Sequence, residues 1–264
     1  MLDMINVRKI FSKGTANEKM ALDRINFSMD EADFLTVIGG NGAGKSTILN
    51  AIAGLFFVDS GKIIIDGHDV TKLPEHKRAK YIGRVFQDPR MGTATNMSIE
   101  ENLAMALRRG QKRGLKKGIT HDEKDKFRTY LEELDLGLEN RMSEKAGLLS
   151  GGQRQAVTLI MATMTKPKLL LLDEHTAALD PKTAKKVLDL TRKIVAEDKL
   201  TALMVTHNMR DAIKYGNRLM MMHNGNVLLD LKEEKKKNLE VGDLLMMFEK
   251  ASGQDMSNDR VLLS

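Results

Sequence analysis

Gly39-Gly40-Asn41-Gly42-Ala43-Gly44-Lys45-Ser46-Thr47 is the stretch of this chain best equipped for chemistry. It fits the pattern G-x-x-x-x-G-K-[ST]. A short apolar strand predicted over Phe34 to Ile38 precedes it, and a helix predicted over Lys45 to Ala53 follows, with Gly54 placed to end it. Glycines in such a loop let main-chain N–H groups turn inward around phosphate oxygens with no Cβ in the way. The helix that follows adds the positive end of its dipole. Lys45 is then the residue that reaches the β- and γ-phosphates, and the Ser46 hydroxyl is a ligand for Mg²⁺. On its own this pattern defines a phosphate-binding loop of the kind that kinases and GTPases share.

Two further motifs narrow the chemistry. Leu149-Ser150-Gly151-Gly152-Gln153 stands before a helix with a continuous apolar stretch, Ala156 to Met164. A serine and two glycines at a helix start offer N–H groups, a hydroxyl and the helix dipole to an anion. One nucleotide does not need two such sites from one chain, so the second set suits a γ-phosphate held by a partner subunit. Leu169-Leu170-Leu171-Leu172-Asp173-Glu174 is a buried strand ending in two acids. Asp173 is placed to hold Mg²⁺ through water, and Glu174 to polarise the attacking water. Gln87 and His207, each just after a predicted strand, are placed to sense the γ-phosphate, Gln87 also the metal. Phe11, at the end of the first strand, offers an aromatic face to adenine. Singly, a strand-end Gln or His reads as a surface residue and Phe11 as core; their positions relative to the glycine loop single them out.

The elements that must position these residues alternate. Strands are predicted over 4–11 and 20–29, with Leu22, Ile25, Phe27 and Met29 on one face, then over 62–65 and 81–86. From about 90 to 165 the pattern turns helical. Ser98-Ile99-Glu100-Glu101 and Thr120-His121-Asp122-Glu123 each match a capping box there, and Gly110, Gly114 and Gly118 punctuate a basic loop between them. Strand character returns at Leu169, a helix starts at Pro181 with Asp180 as its N-cap, and strands follow at 202–205, 218–222 and 226–230. A short amphipathic stretch, Leu244 to Phe248, closes the chain as a terminal helix. Strand–helix alternation broken by an all-helical insert gives an α/β core with a helical subdomain.

Composition removes other classes. The 264 residues are 42% apolar and 30% charged, a globular balance, with no cysteine for disulfides or thiolate metal sites. No two of the six histidines stand at i, i+3 or i, i+4 spacing, which argues against a zinc helix. No apolar run approaches the roughly 18–20 residues of a spanning helix, and Met1 to Ile10 lacks the apolar centre of a signal peptide. A soluble, cytoplasmic protein is expected, with any membrane path supplied by another chain. The net charge is +6, and basic residues gather in two local runs, Arg108 to Lys117 and Lys232 to Lys237. With 4% aromatics and no Trp there is no stacking platform for bases, so nucleic acid is not expected as a partner. A solvated surface, or attraction to anionic lipid headgroups, accounts for the runs.

In order and spacing these motifs resemble the nucleotide-binding subunits of ABC (ATP-binding cassette) transporters over about residues 1–230. The glycine loop 39–47, Gln87, the signature 149–153, the acid pair 173–174, the turn Ala177-Ala178-Leu179-Asp180 and His207 all match. The resemblance implies a RecA-like P-loop core (1–89 and 166–230) with an antiparallel β region, an inserted α-helical subdomain (90–165) and a short helical extension (231–264). It implies ATP with Mg²⁺ as ligand, Asp180 among the nucleotide-binding residues, and a homodimer that sandwiches nucleotide between the glycine loop of one chain and the signature of the other. It implies a transmembrane permease contacting the region from Asp88 to Ser98, a solute-binding protein in the full system, and a place on the inner face of the membrane. Three positions depart from the pattern: His175 stands where proline is usual, Ala177 where serine is usual, and Ala156 where arginine is common. The run Asp173-Glu174-His175-Thr176-Ala177-Ala178-Leu179-Asp180 is similar to a group of bacterial importer ATPases, some associated with aromatic amino acids. Import of a small solute is the expectation, with an exporter or extraction system as the alternative. A translation-factor type would carry two cassettes, and a chromosome-maintenance type a long coiled coil between Lys45 and Ser150; neither is present. A pure assembly module would lack Glu174.

Overall fold

The computed structural model describes residues 1–111 and 118–252. The chain opens with β1 (Leu2–Phe11) and β2 (Lys19–Met29), then β3 (Phe34–Ile38), α1 (Lys45–Ala53), β4 (Ser60–Ile65), β5 (His68–Asp69), α2 (Glu75–Arg78) and β6 (Ile82–Val85). A helical insert follows, built from α3 (Ile99–Leu107), α4 (His121–Glu132) and α5 (Gly151–Thr163). The chain returns through β7 (Leu169–Asp173), α6 (Pro181–Glu197), β8 (Thr201–Val205), α7 (Met209–Lys214), β9 (Arg218–His223) and β10 (Asn226–Leu231). It ends in α8 (Glu233–Lys236) and α9 (Val241–Ser252).

Two sheets result. One is antiparallel, in the order β2-β1-β4-β5; the other runs β10-β9-β3-β8-β7-β6, with only the β9–β10 pair antiparallel. All five residues of β3 and of β8 are buried, the signature of a parallel sheet covered on both faces. The period of two divides β7 between two cores. Leu170 and Leu172 join a cluster with Leu103, Phe127 and Val157 of the helical insert, whereas Leu169 and Leu171 pack with α1 and the antiparallel sheet.

Both predicted capping boxes are formed. Ser98 and Thr120 each accept a bond from the backbone of the glutamate three residues on, and that glutamate accepts one in return. Helix α1 runs over the predicted residues and stops at Gly54, which adopts φ 84°. The opposite charge pattern holds it: Arg78 is 1% exposed and donates to the Ala51 and Ile52 carbonyls at 2.7 and 2.8 Å, satisfying orphan acceptors of the last turn.

The basic runs are not simply solvated, which corrects the sequence expectation. Residues 112–117 of the first, including Gly114, lie outside the described residues, but Arg108 grips Glu123 with two bonds of 2.9 Å. In the second, Lys236 is 4% exposed and donates to the carbonyls of Tyr215 and Gly216. The closing helix is longer than its Leu244–Phe248 core. Both those residues bury against Ile38, Met209, Leu219 and Met221, so the end of the chain packs on the edge of the central sheet.

Candidate functional site

Strands β9, β3, β8, β7 and β6 are parallel and adjacent, so their carboxyl ends open on one edge, the place where open α/β sheets bind ligands. In that order the edge carries the β9–β10 turn, the glycine loop from Gly39, Thr206-His207, Asp173-Glu174 and Phe86-Gln87. The sheet therefore gathers most of the residues singled out by sequence, although they are spread over more than half of the chain.

The glycine loop is shaped by close backbone approach. A Cβ at Gly39 would collide with the Met222 carbonyl oxygen, and one at Gly44 would stand 2.7 Å from that of Ala21. Both glycines also hold left-handed φ values, 151° and 104°, that other residues avoid. Lys45 is 7% exposed and folds back so that Nζ donates to the Gly39 and Gly40 carbonyls at 2.7 and 3.2 Å. An ammonium resting on loop carbonyls is poised to exchange them for phosphate oxygens. Asn41, Gly42 and Ser46 are exposed, Thr47 half-buried and Ala43 buried. Sequence reasoning missed the outer brace of this loop: the Gly225 N–H in the β9–β10 turn donates to the Ala43 carbonyl at 3.0 Å.

The acid pair splits by environment. Burial pushes the Asp173 carboxyl up, while Arg84, whose Nη2 stands 3.4 Å from Oδ2, pulls it back, and Lys45 adds in the same direction. Arg84 also donates to Asn50 Oδ1 at 2.6 Å, and its Nε and Nη1 are buried without a partner. Glu174 has φ 42°, a left-handed conformation unusual for a non-glycine residue, with its N–H bonded to the Val205 carbonyl at 3.0 Å. Its Oε2 lies 3.7 Å from His207 Nδ1. The carboxylate and the imidazole thus face each other across the ends of β7 and β8.

The remaining residues sit at the margins of this edge. Gln87 is exposed two residues after the end of β6. Phe11 is 38% exposed and packs edge-on against Phe56 with ring centroids 5.3 Å apart, so it is a partly open ring rather than core. Ser150 caps α5: Oγ accepts from the Gln153 N–H at 3.3 Å, and Gln153 Oε1 accepts from the Ser150 N–H at 3.1 Å. A hydroxyl that accepts in a cap keeps its own proton to donate. Gly151 is exposed, but Gly152 is buried and its Cβ would collide with Thr183 Cγ2, so this glycine is required for the fit of α5 on α6 as well as for open N–H groups. Asp180 spends Oδ1 on the Thr183 N–H at 3.1 Å as the N-cap of α6, and hydrogen bonding from the Thr183 side chain, then from its N–H, holds the carboxyl below the usual range. The hollow of about 370 Å³ beside Ser150, Gly152 and Gln153 is lined by the start of α6 and by Leu134 and Leu136, with no residue of the glycine loop. The structure therefore brings Lys45, Asp173, Glu174 and His207 together and leaves the signature on a separate surface.

Gln155 is the site-linked residue that sequence reasoning passed over. It is fully buried and donates from Nε2 to the Phe86 carbonyl at 3.1 Å, tying the signature helix to the peptide just before Gln87. A glutamine at the head of the apolar run Ala156 to Met164 was its only signal.

A glycine cradle at a strand end, with an acid pair and an imidazole on neighbouring strands, defines a P-loop ATPase site on a RecA-like core with a helical insert. The family model described as ABC transporter matches residues 22–177. The chain is 45% identical to the tyrosine transport ATP-binding protein of Clostridioides difficile (strain R20291), over 95% of this chain and 100% of that one. It is 35% identical to the methionine import ATP-binding protein MetN 1 of Staphylococcus epidermidis over 86% of this chain, and there it spans only 64% of the relative's length. Among solved structures it matches a dimeric ATP-binding cassette in a post-hydrolysis state with ADP and Pi, at TM-score 0.76 and 30% identity, covering 88% of this chain and 99% of that one. The chain belongs to the ABC transporter family, as an ATP-binding subunit with ATPase chemistry.

Proposed function

We propose that this chain is the motor of an importer for a small solute, an aromatic amino acid by preference, and hydrolyses ATP between two copies of itself. The observation that carries the reading is the edge on which Lys45, Asp173, Glu174 and His207 converge while Ser150 caps a helix on a different surface. The tyrosine transport relative, matched over its whole length, supports the solute class.

In this reading Lys45 leaves the Gly39 and Gly40 carbonyls for the β- and γ-phosphates, and the N–H groups of Asn41 to Thr47 cradle the chain of phosphates. Phe11 offers its ring to adenine. The residues fit Mg²⁺: the Ser46 hydroxyl, the Asp173 carboxylate and the Gln87 amide oxygen are hard donors, and Asp173 is already held against a cation by Arg84. When bound, that ion neutralises charge between the β- and γ-phosphates. Glu174 orients the attacking water and takes its proton. His207, 3.7 Å from that carboxylate, holds it and hydrogen-bonds the γ-phosphate. The signature residues Ser150, Gly151, Gly152 and Gln153, with Asp180 beside them, complete the site from the second copy.

No helix among the described residues is long and apolar enough to cross a membrane. We assign that path to a transmembrane permease, with a solute-binding protein delivering cargo and this subunit lying on the inner, cytoplasmic face. The permease contact falls in the region from Asp88 to Ser98. There a groove of about 420 Å³, lined by Phe86, Met91, Met105 and Met161, lies between the core and the helical insert, with Met91 69% exposed. The test is a pair of variants. Lys45→Ala leaves phosphate charge uncompensated and should lose nucleotide binding. Glu174→Gln should bind MgATP normally and lose at least about 100-fold in turnover, the usual worth of a general base. Wild-type hydrolysis by Glu174→Gln would remove the assignment of the base.

A further inference from the structure

We infer that Lys19 is a second phosphate-binding cation of the nucleotide site, reading the α/β end of the phosphate chain. The inference rests on the nucleotide reading above. Phe11 and Lys19 are direct cross-strand partners in the β1–β2 ladder, so the adenine platform and this ammonium share one end of one ribbon. A Cβ built at Gly42, in the middle of the glycine loop, would meet a single atom outside its own neighbourhood: Lys19 Nζ, at 3.4 Å. The ammonium therefore overhangs the loop from the side of Phe11.

A nucleotide that stacks its base on Phe11 and sends its terminal phosphates to Lys45 must pass its α-phosphate between those two points. Lys19 stands there. Nothing in the protein occupies it: among the described residues Lys19 Nζ has no hydrogen-bond or ion-pair partner. The neighbouring cation is committed elsewhere, since Lys9 Nζ donates to the Phe57 carbonyl at 2.9 Å and sits 3.7 Å from Asp59. The adjacent acid is turned elsewhere: Glu18 Oε2 accepts from the Gly14 N–H at 2.7 Å, and Glu18 forms no ion pair with Lys19. An exposed lysine with no partner, held over a phosphate loop, gains its partner when nucleoside diphosphate or triphosphate arrives. A γ-phosphate, by contrast, is the business of Lys45, so Lys19 does not separate ATP from ADP.

The experiment is titration of the full chain with MgATP and with ADP across a salt series, using wild type, Lys19→Met, Lys19→Arg and Lys45→Ala. Lys19→Met should weaken both nucleotides by about fivefold, the worth of one half-exposed charge contact, and the loss should shrink at high salt. Lys19→Arg should stay within about twofold of wild type, because the charge is kept. Thermal melts should be unmoved, since the side chain is exposed. Unchanged affinity of Lys19→Met for both nucleotides overturns the inference, and so does a loss confined to MgATP, which would put Lys19 on the γ-phosphate. Retained MgATP affinity in Lys45→Ala would instead overturn the nucleotide site itself, so the two failures are distinct.

Discussion

Glu174 holds φ 42°, a conformation that costs a non-glycine residue about 1 kcal/mol or more, so something must hold it there. Its own N–H is fixed to Val205, and the next side chain is fixed to α6. His175 is 2% exposed, and its Nε2 lies 3.1 Å from Thr191 Oγ1. The Thr191 hydroxyl already donates to the Val187 carbonyl at 2.8 Å, so the ring nitrogen is the donor to Thr191 Oγ1. Burial pushes its pKa down to about 4. The unfolded chain, with an ordinary histidine near 6.5, binds this proton where the folded chain does not. Stability from this group is therefore complete above pH 6.5 and is lost as pH falls toward 4, by roughly 3 kcal/mol in all. Denaturant titrations at pH 7 and pH 4.5 should show a steeper acid loss in wild type than in His175→Pro, which carries the residue more usual in the family. Parallel pH profiles for the two proteins would mean that His175 is not the group being titrated.

Between elements, one buried side chain ties the signature helix to the peptide just before Gln87. Gln155 Nε2 holds the Phe86 carbonyl while its Oε1 is buried without a partner, so the residue carries a desolvation penalty on one side of its amide. In Gln155→Leu that penalty disappears as the bond does, but the Phe86 carbonyl loses its donor, so the melting temperature should fall by only a few degrees, a net cost of about 1 kcal/mol. Movement of α5 should then no longer reach Gln87. Turnover should fall about tenfold with nucleotide affinity kept, the pattern of an interaction made only in the closed state. Steady-state hydrolysis beside equilibrium titration measures this, and unchanged turnover would show that the bond is only architectural. The elements around this contact were readable from local signals. Capping boxes gave the starts of α3 and α4, Gly54 gave the end of α1, and Asp180-Pro181 gave the start of α6. The bond itself was not readable, because it joins positions 69 residues apart and its only local sign is one polar residue beside an apolar run. Lys236 is the same lesson in charge: it stands in a row of lysines that reads as solvated, and only the fold brings the Tyr215 and Gly216 carbonyls to it. Gly152 likewise reads as a phosphate-facing glycine until Thr183 is seen against it.

At the scale of the whole molecule, the proposed reading gives the chain two anion-binding surfaces, of which one copy alone fills only the first. The glycine loop and Lys45 hold the first. The second is the α5 start, where Ser150 is exposed, keeps a hydroxyl proton to donate, and borders a hollow lined by α6 rather than by the loop. A two-fold axis satisfies both surfaces at once, because an isologous pair lets each loop face the other chain's signature. The solved cassette to which this chain is similar is itself dimeric and holds ADP and Pi. An arginine at position 150 would bring a long cation and remove the N-cap, at a cost of about 1 kcal/mol to α5, without touching the loop that binds nucleotide first. Ser150→Arg should therefore bind MgATP as a monomer within about threefold of wild-type affinity, equivalent to less than 1 kcal/mol, yet fail to dimerise and turn over little. Glu174→Gln should behave in the opposite way and accumulate as a nucleotide-bound dimer, since closure is intact and hydrolysis is not. Size-exclusion chromatography with and without MgATP, run beside equilibrium titration, separates the two. A Ser150→Arg protein that lost MgATP affinity as a monomer would place the signature in its own chain's pocket and sink the shared site, whereas one that still dimerised with MgATP would leave the γ-phosphate unclaimed by the second copy.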